Sequence, residues 1–201
     1  MAYTDFTLQD IQEKFKVSNQ RVRLFPSLKA VKPSERLKND LIDAQTLPSR
    51  TEKAKSELIV SPVLKEVWRK QGKYFTIYSG EVLNADAANG LNGECDFILA
   101  KDIGAYSINY PIIQIVEAKR NDLDLGVPQC AAQMIGAKLF NKRQGVEIET
   151  IYGCVTTGDE WLFMKLGNEL EIDNHVYYIN KLSEILAVFQ HIIDYYKTTL
   201  K

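Results

Sequence analysis

Two acids and one lysine stand where an apolar pattern gives them no structural reason to be. Residues 111–120 (PIIQIVEAKR) carry no charge until Glu117, and Lys119 follows two positions later. Side chains alternate across a strand, so Glu117 and Lys119 share a face with Ile113 and Ile115, roughly 7 Å apart at ~3.3 Å per residue. In residues 93–101 (GECDFILAK), Asp96 interrupts a second apolar stretch, on the face of Ile98 and Ala100. If the two strands pair, both carboxylates converge beside a core, where they repel unless a cation lies between them. A hard divalent cation with oxygen ligands suits that set, Mg²⁺ first and Mn²⁺ as its substitute. The chemistry such a group supports is metal-assisted hydrolysis, in which the ion lowers the pKa of a bound water and neutralises phosphate oxygens.

The arrangement resembles the PD-(D/E)XK nucleases, the restriction endonuclease-like superfamily, whose motif is an Asp, a gap, and then (Asp/Glu)-x-Lys on the next strand. Here it reads Asp96, then Glu117-Ala118-Lys119, and the resemblance covers residues 51–166. It implies an α/β fold with a central mixed β-sheet flanked by helices. Asp96 and Glu117 would be metal ligands, and Lys119 would orient the attacking water and stabilise charge on the phosphate, with a base role open to it. Many members carry a Glu on the first core helix that completes the metal site, and Glu57 matches that position; an acid near a helix N-terminus is equally favoured by the helix dipole. In several branches, including the motor subunits of type I restriction enzymes, a Gln opens the helix after the E-x-K strand, and Gln129 matches it. Where that pattern continues to a Tyr, this chain has Gln133. Gln133 and Arg120 join the expected nucleic-acid contacts, although Gln133 also reads as a buried amide satisfied by backbone groups.

Composition narrows the alternatives. A chain of 201 residues with 45% hydrophobic content can fill one core with a small appendage. No run approaches the ~18 apolar residues of a membrane span, and the opening MAYTDFTLQD lacks the basic and apolar regions of a signal peptide. A cytoplasmic protein without membrane contact is expected. Cys95, Cys130 and Cys154 stand singly in apolar segments and read as small core residues. His175 and His191 lie in unrelated contexts, against His-metal nucleases and Ser/His or Cys/His hydrolysis. No G-x-x-x-x-G-K-[ST] loop suggests nucleotide hydrolysis. Charge is uneven: residues 1–73 hold 15 Lys and Arg against 9 Asp and Glu, and residues 74–201 hold 10 against 17. A basic front with Arg21, Arg23, Lys29 and Lys32 would orient the protein on a polyanion, with DNA as the expected partner.

The elements that must position these residues follow from periodicity. Residues 7–17 and 33–45 have apolar side chains at helical spacing, so residues 1–50 read as a helical N-terminal extension packed on a nuclease-like domain over 51–201. Residues 51–72 predict one longer helix, kinked at Pro62, with Val60, Leu64 and Val67 as its buried stripe and Glu57 continuing that stripe toward the sheet. Strands are expected over 73–83, 93–101, 111–120, 149–157 and 160–166, with short ones at 169–172 and 176–179. A polar loop over 84–93, a turn over 102–110, a turn over 120–128, a buried helix over 129–141 and a last helix over 183–199 complete the chain. The function implied is a metal-dependent nuclease. Its alternative is a nucleic-acid-binding or assembly module on the same fold that does not cut, and a homodimer is left open.

Overall fold

The computed structural model describes residues 1–101 and 107–200, so the expected turn over 102–110 lies, for 102–106, outside the described residues. In chain order the main elements are α1 (Leu8–Phe15), β1 (Asn19–Val22), α2 (Glu35–Thr46), α3 (Glu52–Lys55), α4 (Ser61–Lys70), β2 (Phe75–Val82), β3 (Glu94–Lys101) and β4 (Ile112–Ala118). There follow α5 (Leu123–Arg143), β5 (Ile151–Thr156), β6 (Glu160–Leu166), β7 (Leu170–Asp173), β8 (Tyr177–Tyr178) and α6 (Leu182–Thr199). The fold is α/β, an eight-stranded mixed sheet flanked by helices, in the order β1-β7-β6-β5-β4-β3-β2 with β8 beside β6. β2, β3 and β4 are antiparallel neighbours, β4 and β5 are parallel, and β5, β6 and β7 are antiparallel.

Every residue of β4 and β5 is buried, as their unbroken apolar runs require of strands covered on both faces. A Cβ on Gly153 of β5 would lie 2.3 Å from Met134 Sδ of α5, whereas its neighbour Tyr152 meets the rings of Tyr195 and Tyr196 of α6. Consecutive strand residues face opposite ways, so α5 covers one face and α6, with α4 beside it, covers the other. Cys95, Cys130 and Cys154 are free thiols inside this core.

Two boundaries differ from the sequence pattern. The first fifty residues are not all helix: Asn19–Val22 pair in parallel with β7 and form an edge strand of the sheet. Asn19, Gln20 and Arg21 are exposed, so the strand has no buried alternation to reveal it and is held through its backbone, with Leu170 N donating to Ser18 O and Asn174 N to Val22 O. Tyr3, Phe6, Ile11, Phe25 and Leu37 nevertheless join the same apolar cluster as the sheet. α5 starts at Leu123, six residues earlier than the pattern predicts, because Asp122 caps it by accepting from Asp124 N at 2.9 Å. Pro128 removes only the bond to the Asp124 carbonyl, at an exposed residue near the helix start, so it does not stop the helix. The loop after β2 is also less free than its polarity suggests. Leu83, Ala85 and Leu91 are buried, and Lys14 Nζ donates to Asn89 O at 2.7 Å.

The far end of α5 is tied to β4 by one side chain. Asn141, fully buried, accepts from Ile112 N at 2.7 Å and donates to Ile112 O at 2.8 Å, standing in for the strand partner that this residue would otherwise need. Asn141→Leu should therefore cost on the order of 2–4 kcal/mol, since it orphans two buried backbone groups. Urea denaturation measures this, and a loss within about 0.5 kcal/mol, the range of an ordinary surface change, would show that the pairing is dispensable.

Candidate active site

β3 and β4 part company just where their acids stand. The last paired residues are Phe97 and Val116, and one step further Asp96 faces Glu117 across the opening fork. Asp96 Oδ2 accepts from Ala118 N at 2.7 Å, so the carboxylate occupies the place of the missing strand backbone. On the other side, Lys119 N donates to Thr156 O at 2.7 Å and keeps β4 pinned to β5. The fork thus holds a carboxylate between strands while the neighbouring residues stay in register.

Glu117 lies behind Asp96 with 2% of its surface exposed. Three donors reach it: Lys119 Nζ at 2.7 Å and Gln129 Nε2 at 2.5 Å on Oε1, and Gln133 Nε2 at 2.8 Å on Oε2. Gln129 Oε1 in turn accepts from Lys119 Nζ at 2.9 Å, which closes a ring of carboxylate, ammonium and amide. α5 can bring its glutamines this close because Gly126 has no side chain. A Cβ there would stand 2.4 Å from Val155 Cγ1 and 3.0 Å from Lys119 Cγ.

Burial pushes the Glu117 carboxyl up to about 7, with the Asp96 charge adding to the rise and Lys119 and Gln133 opposing it. Burial likewise raises Asp96, against the bond from Ala118 N and the charge of Lys119, while Glu52 raises it further. For Lys119, burial pulls the ammonium down, but the charge and hydrogen bond of Glu117 and the charges of Glu52 and Asp96 outweigh it, leaving the pKa above the ordinary lysine value. These neighbours favour the ammonium form of Lys119, which suits it to stabilising negative charge.

The helix acid that reaches this group is Glu52, and sequence periodicity missed it. Ser56–Val60 form a π-helical turn between α3 and α4, in which Ser61 N donates to Ser56 O. Pro62 follows at the start of α4 and cannot donate to the carbonyl four residues back. One extra residue in the turn shifts the register of everything before it. Glu52, eight residues before Val60, behaves as though it were seven before it, and seven residues are close to two full turns at 3.6 per turn. Val60, Leu64 and Val67 are buried as the pattern predicts, but Glu57 does not continue their stripe: it is exposed, 4.0 Å from Lys53. Glu52, Glu57, Ser56, Glu94 and Asp96 line one cleft of about 370 Å³.

The remaining sequence candidates do not all gather at the fork. Gln133 is fully buried, its Nε2 shared between Glu117 and, at 3.4 Å, Glu94 O, so it holds the site from within and does not face a partner. Arg120 is exposed next to the lysine, and its carbonyl accepts from Lys55 Nζ at 3.2 Å. Lys55, missed in the sequence, also pairs with Asp159 at 3.0 Å. Arg21 lies 3.6 Å from Asp124 at the start of α5, Arg23 lies 3.7 Å from Asp173, and Lys29 and Lys32 are exposed on the segment that follows. Among the described residues, no three His, Cys, Asp or Glu side chains are gathered closely enough to hold a metal ion by themselves. Asp96 and Glu117 present their carboxylates at the fork, and the Oε1 of Gln133 behind them is buried without a hydrogen-bond partner.

The raised Glu117 carboxyl has a consequence for stability. Between its unfolded value of 4.5 and about 7, the folded protein keeps a proton that the unfolded chain has released. Stability therefore falls as pH rises through that window, and above it Glu117 carries a charge that the fold disfavours. Glu117→Gln, neutral throughout, should gain on wild type between pH 5 and pH 8 by on the order of 2 kcal/mol. Paired urea titrations read the difference, and a pH-independent one would mean that Lys119 and the glutamines compensate the charge fully.

Compared with known proteins, the chain matches no family model and no curated protein.

Proposed function

We propose that this chain is a metal-dependent nuclease that hydrolyses phosphodiester bonds in DNA, built on a restriction endonuclease-like core. The observation that carries the reading is the meeting of Asp96 and Glu117 at the fork of β3 and β4, with Lys119 hydrogen-bonded to Glu117. Helix, three antiparallel strands, helix and a strand pair, in that chain order, support the same core. Buried carboxyls with raised pKa values suit a hard divalent cation, and Mg²⁺ is commonly held by only one or two carboxylates with water filling the remainder. Asp96 and Glu117 would hold the ion, Mg²⁺ or Mn²⁺, and Glu52, which lines the same cleft as Asp96, would complete its surroundings through water. When bound, the ion supplies an acidified water and neutralises phosphate oxygens.

The chain's own residues do the rest. Gln133 and Gln129 fix the two oxygens of Glu117, and Gln129 holds the Lys119 ammonium beside it. Lys119 stabilises negative charge on the phosphate and orients the attacking water. A second reading, a binding or assembly module that does not cut, is favoured by one observation: both oxygens of Glu117 are already engaged by protein donors.

Plasmid, linear duplex and single-stranded DNA, each incubated with Mg²⁺, Mn²⁺ or chelator, separate the two readings. Cleavage should require the metal, and Lys119→Ala should lower it about 10²–10³-fold, as for loss of one charge-stabilising donor. Intact binding without cleavage under any metal would favour the second reading. Glu52→Gln should reduce cleavage about 10–100-fold, while Glu57→Gln, whose carboxylate is an exposed partner of Lys53, should stay within about twofold. The reverse order would put Glu57 at the site and reject the register shift as its cause.

A further inference from the structure

The strand order carries the same side of the sheet well beyond the fork. β1 runs parallel to β7 and β4 parallel to β5, with antiparallel pairs between β5, β6 and β7, so the C-terminal ends of β1, β7, β5 and β4 lie on one edge. Lys119 follows β4, and Arg23 follows β1. Four interstrand steps separate them, roughly 19 Å at ~4.8 Å each. At the far end, between the segment after β1, the turn from β7 to β8 and the first turn of α6, is a cavity of about 300 Å³. Arg23, Phe25, His175, Tyr177, Lys181 and Glu184 are among its walls.

A buried carboxylate organises this cavity. Asp173, 1% exposed, accepts from His175 N at 3.1 Å on Oδ1 and from Tyr177 Oη at 3.1 Å on Oδ2, and it stands 3.7 Å from the Arg23 guanidinium. That guanidinium lies 5.9 Å over the Tyr177 ring, and the His175 ring packs edge-on against Tyr177 at 4.6 Å. Arg23 is thus aimed from below by a charge and supported from the side by an aromatic face, yet 37% of its side chain stays open. Lys181 stands at the rim with 62% of its side chain exposed, and Glu184, 3.8 Å from it, is the acid opposing the two cations on the wall. A planar guanidinium placed between that charge and that ring matches the paired oxygens of a phosphate, and an ammonium beside it adds a point charge.

We propose that this cavity binds a phosphate of the nucleic acid strand engaged at the fork, with Arg23 as its fork-shaped donor and Lys181 as its second cation. The proposal rests on the nucleic-acid reading above and adds a fixed anchor to it. The ~19 Å between the two strand ends places the anchored phosphate a few nucleotides along the strand from the one at Lys119. Either an internal or a terminal phosphate satisfies this chemistry.

The test is a phosphate walk on the full chain. A fluorescent duplex is made in a series in which one phosphate at a time is replaced by a neutral methylphosphonate, and binding is measured by anisotropy in Ca²⁺. Two further probes carry a 5′-phosphate or a 5′-hydroxyl. In wild type, one position should weaken binding about tenfold, the scale of a charge-assisted contact. In Arg23→Gln that same position should become indifferent, and the salt slope of log K should fall by about 0.9. Because Arg23→Gln leaves Asp173 buried without its cation, Lys181→Gln, at an exposed side chain, is run beside it and should lose sensitivity at the same phosphate. Dependence on the 5′-phosphate alone would assign the pocket to strand ends. If no position couples to either residue, the anchor is overturned, whether or not DNA is cut. If coupling is found but no metal supports cleavage, the anchor stands and the nuclease reading fails.

Discussion

Two carboxylates facing each other in a buried fork repel, and the way this repulsion is contained shapes the centre of the molecule. Asp96 is held by a backbone amide that its own strand has vacated, and Glu117 by an ammonium and two amides. Those amides come from successive turns of α5, which must approach closely enough for Gln129 and Gln133 to reach. Gly126 and Gly153 remove the side chains that would keep it away. Asn141 then fixes the other end of the same helix to β4. The helix is therefore positioned by small residues and polar ties along a face that is otherwise apolar, and its register is set by the acid it serves.

Much of this was legible in the sequence because it rests on strong local contrasts. A charge ending an uncharged run exposes Glu117 and Lys119, and an acid in an apolar alternation exposes Asp96. Gln129 and Gln133 stand out in a helix of small apolar residues. Glu52 had no such contrast: it is one of several charges in an exposed helix start, and only the π-helical turn, which no residue pattern announces, rotates it toward the fork. β1 was hidden for the opposite reason, since a strand held by backbone bonds at a solvated edge needs no apolar alternation. The start of α5 was hidden by Pro128, whose missing donor matters little at an exposed first turn.

Charge tells a similar story along the edge of the sheet. The excess of cations in the first third of the sequence is visible by counting, but counting cannot say which of them are fixed. Arg23 has the buried Asp173 and the Tyr177 ring beside it, whereas no ion pair or ring contact accompanies the exposed Lys29 and Lys32 among the described residues. An ordered guanidinium loses less freedom when it meets an anion than a mobile lysine does. The distinction between a patch and a pocket is therefore one of prior ordering, and it comes from residues distant in sequence.

That distance also sets an order of assembly. Arg21 of β1 pairs with Ile172 of β7, so β1 has to wait for about 150 further residues to be synthesised before it has this partner. At ribosomal rates of ~5–20 residues per second, the interval is on the order of ten seconds. β2, β3 and β4 can pair as soon as they emerge, since each lies next to its neighbour in sequence, while β1 can join the sheet only once β7 has been made. The carboxylate fork thus draws on strands that are neighbours in sequence, whereas the pocket around Arg23 needs a strand made well before its partner.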